Sequence, residues 1–397
     1  MLTSLPSSAK SARWWRSTAP SRSAAQETPG LTLLEGSARF VAPRELEVAG
    51  RRLRAERIFI ATGLRPARPD LPGLDPRQAL TSETLMELTE VPARLVLLGG
   101  GYVACELGQA FRRFGAAVVI VQRRRHLLPR EEPAVSSALE RAFEAAGIEL
   151  LLQHRALRVE HAAGEVRLLV QPPRGPRRAV LGSHLLVATG RVPNTDTLEL
   201  KRAGIATDRR GHVTASSGLR SNVPGIWAIG DVNGEQPFTR VCQEEAKVAY
   251  ANAFEGRRLA IQRASLGHAV FTDPEVGSVG LTEAAARRQG LDVVVGVVRF
   301  DQVERARLIG ETAGLLKYVV ERGSRRVLGC HIVGPSAGEL VYSVTPVIRR
   351  RGRIDEIARA VGIFPTLAEG VEGTARGVLR RLAPDRARGP LAAGRIN

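Results

Sequence analysis

Apolar and polar positions alternate along this chain in short blocks, and the period of the blocks changes at glycine and proline. From Leu31 onward come the runs Leu31–Leu34, Ser37–Val41 and Glu45–Val48, then a turn at Ala49-Gly50 and the run Arg52–Ile60. This pattern predicts a small antiparallel meander. The apolar run Arg94–Leu98 then leads into Gly99-Gly100-Gly101 and an amphipathic stretch, Leu107–Phe114, which stops at Gly115; a second apolar run, Ala116–Gln122, follows at once. A helix over Val135–Ala146 and hairpin strands over Arg155–His161 and Glu165–Gln171 are expected next. Beyond Gly267 the spacing predicts strands at Val293–Phe300, Gly314–Val320 and Val327–Val333, with helices at Glu283–Arg288, Ala337–Arg350 and Ile354–Val361. Strands flanked by helices make this last region a separate α+β unit.

The segment Gly99-Gly100-Gly101-Tyr102-Val103-Ala104-Cys105-Glu106 therefore sits between a strand and a helix, as the phosphate cradle of a dinucleotide-binding fold does. Gly99 permits the tight turn, Gly101 lets backbone amides approach a pyrophosphate, and the helix N-terminus adds partial positive charge. Ala104 stands where a third glycine is usual. At the end of the second strand, where an acid would hold a ribose 2′-hydroxyl, the chain has Gln122 followed by Arg123, Arg124 and Arg125. Guanidinium groups in place of a carboxylate favour a 2′-phosphate, and so NADPH over NADH. The competing reading is solvated charge flanking a helix.

One phrase occurs twice: Ala61-Thr62-Gly63-Leu64-Arg65-Pro66 after Ile58-Phe59-Ile60, and Ala188-Thr189-Gly190-Arg191-Val192-Pro193 after Leu186-Val187. Two copies imply two dinucleotide-type domains, each closing with an apolar strand and a tight turn beside its ligand. A further strand ends at Gly230-Asp231, where a carboxylate can reach a sugar or ribityl hydroxyl at the carboxyl edge of the sheet.

The 397 residues, 44% of them apolar, suffice for two or three domain cores. No apolar stretch approaches the roughly 20 residues that cross a bilayer, so a soluble, cytoplasmic protein is expected. The net charge of +18 comes from 54 arginines and four lysines, dispersed along a chain with 4% aromatic residues, which argues against a nucleic-acid partner. Cys105, Cys242 and Cys330 form no close pair, and the seven histidines show no ligand spacing, so neither a disulfide framework nor a metal site is expected. Cys105, inside the cradle helix, reads as a small buried thiol. Residues 1–30 are rich in Ser, Ala and Arg, with no acid before Glu27. They read as a transit peptide or, preferably, as sequence from a displaced start or reading frame.

The order of these motifs resembles the class I pyridine nucleotide-disulfide oxidoreductases, the group of dihydrolipoamide dehydrogenase, glutathione reductase and mercuric reductase. The resemblance covers residues 31 to about 382. It implies an α/β chain with two Rossmann-like domains, for FAD and NAD(P), the FAD one incomplete, followed by an α+β dimerisation domain. On this basis residues 31–93 and 191–266 are FAD-domain segments, 94–190 the NAD(P) domain, 267–382 the dimerisation domain and 383–397 a tail. Thr62, Gly63, Gly230 and Asp231 are implied FAD contacts. Gly99, Gly100, Gly101, Tyr102, Val103, Ala104, Glu106, Gln122, Arg123, Arg124, Gly190 and Arg191 are implied nicotinamide-cofactor contacts, with Tyr102 as a gate over the nicotinamide pocket.

Departures from the family pattern are equally specific. The first glycine-rich turn for the ADP half of FAD, a CxxxxC redox pair, and the lysine that pairs with the glutamate matching Glu106 are not found among the 397 residues. The usual His-Pro-Thr-Leu-x-Glu reads Phe364-Pro365-Thr366-Leu367-Ala368-Glu369, and phenylalanine cannot accept a proton. Glu369 is retained, but no catalytic set is intact. The expected reading is a truncated, impaired flavin oxidoreductase, homodimeric, using FAD and NADPH to reduce a small-molecule or metal-ion acceptor. The alternatives are a non-catalytic NADPH-binding dimer, or a half-enzyme that needs a second chain. Two packing expectations follow: Phe364 as an ordinary packed apolar side chain, and the helix face Val341–Ile348 as part of a dimer interface.

Overall fold

The computed structural model describes residues 28–162 and 164–383, so most of the leader 1–30 and of the tail 383–397 lies outside the described residues. The described residues form two compact units, one of 28–99, 113–117 and 156–261, the other of 100–112, 118–155 and 262–383.

In the first unit, Ala38–Ala42, Glu45–Val48 and Arg51–Arg54 form the antiparallel meander. Leu31–Leu34 adds no strand to it; Leu31 and Leu33 are exposed. The run Arg52–Ile60 is divided, because its two halves bury against different partners. Arg51–Arg54 completes the hairpin with Glu45–Val48, whereas Ile58–Ile60 pairs in parallel with Ile226–Ala228, burying Ile58 and Ile60. Arg94–Leu98 pairs in parallel with His184–Val187. The tails of the repeated phrase, Leu64–Pro66 and Arg191–Pro193, pair antiparallel with each other, Arg191 opposite Pro66 and Pro193 opposite Leu64. Arg155–Ala162 and Glu165–Gln171 gain a third strand, Arg178–Gly182.

The second unit contains the cradle helix Tyr102–Arg113, and Ala117–Gln122 pairs in parallel with Ile148–Leu152 across the connecting helix Pro133–Ala145. Its other part is a five-stranded antiparallel sheet in the order His268–Val270, Glu275–Gly280, Val327–Gly334, Leu315–Glu321, Val293–Arg299. Helix Ala337–Arg349 covers the first half of this sheet and helix Ala368–Leu382 the second. Their apolar stripes bury Val344 and Val378 among Tyr318, Ile332 and Phe300.

Two packing expectations are corrected here. Val341, Val344, Val347 and Ile348 are buried in the unit's own core, because the helix needs that stripe to cover the sheet; the stripe is not available to a second chain. Phe364 is 73% exposed, in an apolar run with Val361 and Ile363, which are exposed as well.

A buried polar network ties helix Pro133–Ala145 to the sheet. Adjacent carboxylates Glu131 and Glu132 precede the helix. Glu131 accepts from Ser278 Oγ at 2.6 Å and lies 2.7 Å from His268 Nε2, and His331 Nδ1 is 3.2 Å from the same Ser278 hydroxyl. Lys317 Nζ donates to Glu132 at 2.7 Å and to Glu283 at 2.6 Å, and the Glu283 amide donates to Glu132 at 3.0 Å. Burial opposes the charge of Lys317, but its two carboxylate partners outweigh it and raise the ammonium pKa above 10.5. Its stabilising effect is therefore present below that pH and lost as pH rises through the higher folded value. Lys317→Met strands Glu132 in the interior and should lower stability by about 3–5 kcal/mol. Urea midpoints at pH 7 check this, and the gap between variant and parent should shrink above pH 10.5; equal midpoints at pH 7 would rule out a stabilising role.

Candidate functional site

The strand Arg94–Leu98 ends at Gly99, whose φ of +118° and tight surroundings leave no alternative residue. A Cβ there would stand 2.2 Å from the Ala188 carbonyl oxygen, well inside contact distance. At Gly100 a Cβ would meet the Gln122 amide nitrogen at 2.7 Å. Gly101 differs, for apart from the adjoining residues nothing among the described residues lies within 4 Å of the Cβ position. Tyr102 and Val103 begin the helix half-buried, and Ala104 is fully buried. Cys105 is buried as expected, and burial, reinforced by Glu106 and Glu140, pushes its thiol far up; it is no nucleophile at neutral pH.

Gln122 turns inward. Its Nε2 donates to the His126 carbonyl at 3.3 Å and its Oε1 accepts from the Arg124 amide at 3.3 Å. The loop it braces is also fixed by Glu140, which accepts from the Leu127 amide at 2.8 Å and lies 3.2 Å from His126 Nδ1. Arg123, Arg124 and Arg125 project from this loop, exposed, and none has an ion-pair partner among the described residues.

In the first unit the two copies of the repeated phrase come together. The Asn194 side chain donates to the Thr62 carbonyl at 2.8 Å, and its backbone amide donates to that of Gly63 at 3.1 Å. Arg191 reaches the Leu64 carbonyl at 2.8 Å and the Asp231 carboxylate at 3.3 Å. The Gly230 amide donates to Glu245 at 2.6 Å, and Asn233 donates to the same oxygen at 2.8 Å. Neither Asn194 nor Glu245 was singled out by sequence reasoning. Asn194 directly follows the second copy of the phrase, and Glu245 interrupts the buried stripe Val241, Glu245, Ala249 of helix Thr239–Phe254. A carboxylate on an apolar stripe is the signal that could have found it.

Glu106 has a partner other than lysine. Its carboxylate accepts from the Phe271 amide at 2.8 Å, and one turn on, Gln109 exchanges two bonds with the Asp273 backbone at 2.6 and 2.7 Å. Burial raises the Glu106 pKa, with the amide bond pulling the other way. Glu369 accepts from the Thr366 amide at 2.8 Å, steadying the start of helix Ala368–Leu382, whereas Phe364 points to solvent. Gly190, Arg191, Thr62, Gly63, Gly230, Asp231 and Gly99 thus lie in one unit, and Gly100–Glu106 with Gln122–Arg124 in the other.

The pattern of the family described as "Pyridine nucleotide-disulphide oxidoreductase" matches residues 17–255, and that of its dimerisation domain matches 267–375. A mercuric reductase of Lysinibacillus sphaericus is 35% identical over 340 residues, covering 86% of this chain and 62% of the relative. Dihydrolipoyl dehydrogenase 1, mitochondrial, of Arabidopsis thaliana is 30% identical over 87% of this chain and 69% of its own length. Among solved structures, the HOCl-induced flavoprotein disulfide reductase RclA from Escherichia coli superposes with a TM-score of 0.80 at 27% identity, covering 89% of this chain and 81% of RclA. The chain spans about three fifths of the length of several mercuric reductases it matches.

The cradle glycines separate two effects. Gly99→Ala should destabilise the fold by more than about 1 kcal/mol, since its methyl meets backbone at a positive φ, and Gly101→Ala should leave the melting temperature unchanged. Only the latter is expected to fold normally while binding a dinucleotide poorly. A melting scan with a cofactor titration checks both, and a Gly101→Ala protein with parental affinity would remove Gly101 from the site.

Proposed function

The chain belongs to the pyridine nucleotide-disulphide oxidoreductase family, and on that premise we propose that it is an FAD-dependent oxidoreductase of the disulfide and mercuric reductase type that draws hydride from NADPH. One observation carries the reading: apart from the adjoining residues, nothing among the described residues comes within 4 Å of the Cβ position at Gly63, Gly101 or Gly190, the three turns where a dinucleotide would approach the backbone. Closed turns would exclude both cofactors; open ones leave room for them.

In this proposal Gly99–Gly101 and the first turn of helix Tyr102–Arg113 hold the NADPH pyrophosphate, and Arg123 and Arg124 hold its 2′-phosphate. Gln122 acts indirectly, fixing the backbone from which the arginines project. Tyr102 covers the nicotinamide position. Thr62, Gly63 and Asp231 hold the flavin side, with Arg191 and Glu245 orienting the Asp231 turn. A bound flavin supplies the hydride acceptance and electron delivery that no side chain here provides. The acceptor is a disulfide, another small molecule or a metal ion.

Residues 94–190 would then serve NADPH, 31–93 and 191–266 FAD, and 267–382 a homodimer. The dimer is supported by the match to a dimerisation domain and by the exposed apolar side chains Phe271, Tyr342, Ile363 and Phe364 in the same region.

The preference for NADPH tests the proposal. The parent chain should bind NADPH at least tenfold more tightly than NADH, since about 1.5–3 kcal/mol rides on each hydrogen bond to a charged group. Arg123→Ala combined with Arg124→Ala should weaken NADPH binding to the level of NADH and leave NADH unchanged. Fluorescence titration with both nucleotides decides it. Equal affinity in the parent would remove the NADPH assignment and return the arginines to solvated charge.

A further inference from the structure

The first unit contains a cleft of about 1110 Å³ that none of Thr62, Gly63, Gly190, Arg191, Gly230 or Asp231 lines. Its volume lies just above the range of about 300–1,000 Å³ of sites that hold whole small molecules. Apolar surface comes from Pro66, Val192, Pro193 and Leu200. Charge around it is unbalanced in a particular way. Of its acids, Asp196 is held by Arg65 at 2.9 Å, and Glu199 by Arg202 at 3.3 Å. This leaves Arg68, Lys201 and Arg210, none of which has an ion-pair partner among the described residues, against the single unpaired carboxylate of Glu83.

Arg210 is also set on a fixed backbone. Asp208 accepts from the amides of Arg210 and His212 at 2.8 and 2.9 Å, and its other oxygen lies 3.0 Å from His212 Nδ1. Thr195 closes the turn by donating to the Gly211 carbonyl at 2.8 Å. Like charges lining one concave surface repel one another, and the field they share is concentrated there by the low-dielectric walls. An anion relieves that repulsion, and with its backbone already fixed Arg210 loses only side-chain freedom in binding it.

We propose that this cleft is a second ligand site, separate from the dinucleotide cradle, for a small phosphorylated organic molecule. Arg68, Lys201 and Arg210 hold the phosphate, and the Pro66, Val192, Pro193 and Leu200 surface covers the organic part. The proposal is independent of the oxidoreductase reading, since it uses none of that reading's residues.

Calorimetric titration of the full chain, with and without added NADPH, with phenyl phosphate and with inorganic phosphate tests it. Phenyl phosphate should bind more tightly than inorganic phosphate, and both affinities should fall as salt rises. Lys201→Ala and Arg210→Ala, both at exposed side chains, should each weaken phenyl phosphate about tenfold and leave the NADPH titration unchanged. Arg68→Ala provides an independent third variant. Absence of phenyl phosphate binding, binding that the three variants leave intact, or competition with NADPH would each overturn the proposal. Equal affinity for the two phosphates would overturn its apolar half.

Discussion

The Ala188 carbonyl approaches the Cα of Gly99 more closely than any side chain allows, and the turn that ends the strand Arg94–Leu98 depends on that contact. Parallel pairing of Arg94–Leu98 with His184–Val187 brings the two chain segments side by side, and the Ala188 amide extends the ladder to Leu98 at 2.8 Å. Beyond that bond both segments must turn, and only a residue without Cβ at position 99 lets them do so together. The second segment then passes through Gly190 into Arg191–Pro193, which pairs with the other copy of the phrase and carries Arg191 to Asp231. One steric requirement thus precedes both the glycine turn at Gly99 and the cluster of Arg191 and Asp231.

Buried charge is the second constraint, and it is met by donors and counter-charges. Glu245 has no exposed surface, yet one of its oxygens receives two donors, from Gly230 and Asn233. Glu131, Glu132, Lys317 and Glu283 share a larger network in which every charge faces an opposite charge or a donor. Burial works against ionisation of Glu131, but His268 and Ser278 outweigh it and lower the carboxyl pKa. Such networks contribute less net stability than their bond count suggests, because desolvation offsets most of the attraction. Their stronger effect is on specificity: a misplaced helix Pro133–Ala145 would leave two carboxylates in the interior without partners.

Those two constraints explain what the sequence disclosed. Elements with local periodicity were legible nearly to the residue, as with Arg94–Leu98, Ala337–Arg349 and the hairpin at 155–171, since their pattern arises from the face they bury. The division of Arg52–Ile60 was not, because it depends on Ile226–Ala228, far away in the chain. Helix Thr239–Phe254 went unread for a related reason: its buried stripe includes Glu245 and Asn252, polar residues whose burial is justified only by partners elsewhere. The glycine turns were readable from motif spacing, but the inward turn of Gln122 was not. Glutamine can serve a ligand or a loop, and only the position of His126 decides between them.

That orientation bears on whether Arg123–Arg125 are a binding surface or solvated charge. A flexible flank would leave its arginines free at little cost, and no ligand would gain from their proximity. Here the backbone beneath them is held by both ends of Gln122, by Glu140 on Leu127, and by the Gln153 amide, which donates to the Arg124 carbonyl at 3.0 Å. The side chains above remain unpaired although acids are present in the same unit. Ordering the loop has already been accomplished by folding, so an incoming phosphate would bear only the cost of fixing the guanidinium side chains. On the proposed reading, a braced backbone carrying arginines without ion-pair partners among the described residues, at the end of the second strand, suits a 2′-phosphate better than a flexible solvated flank would.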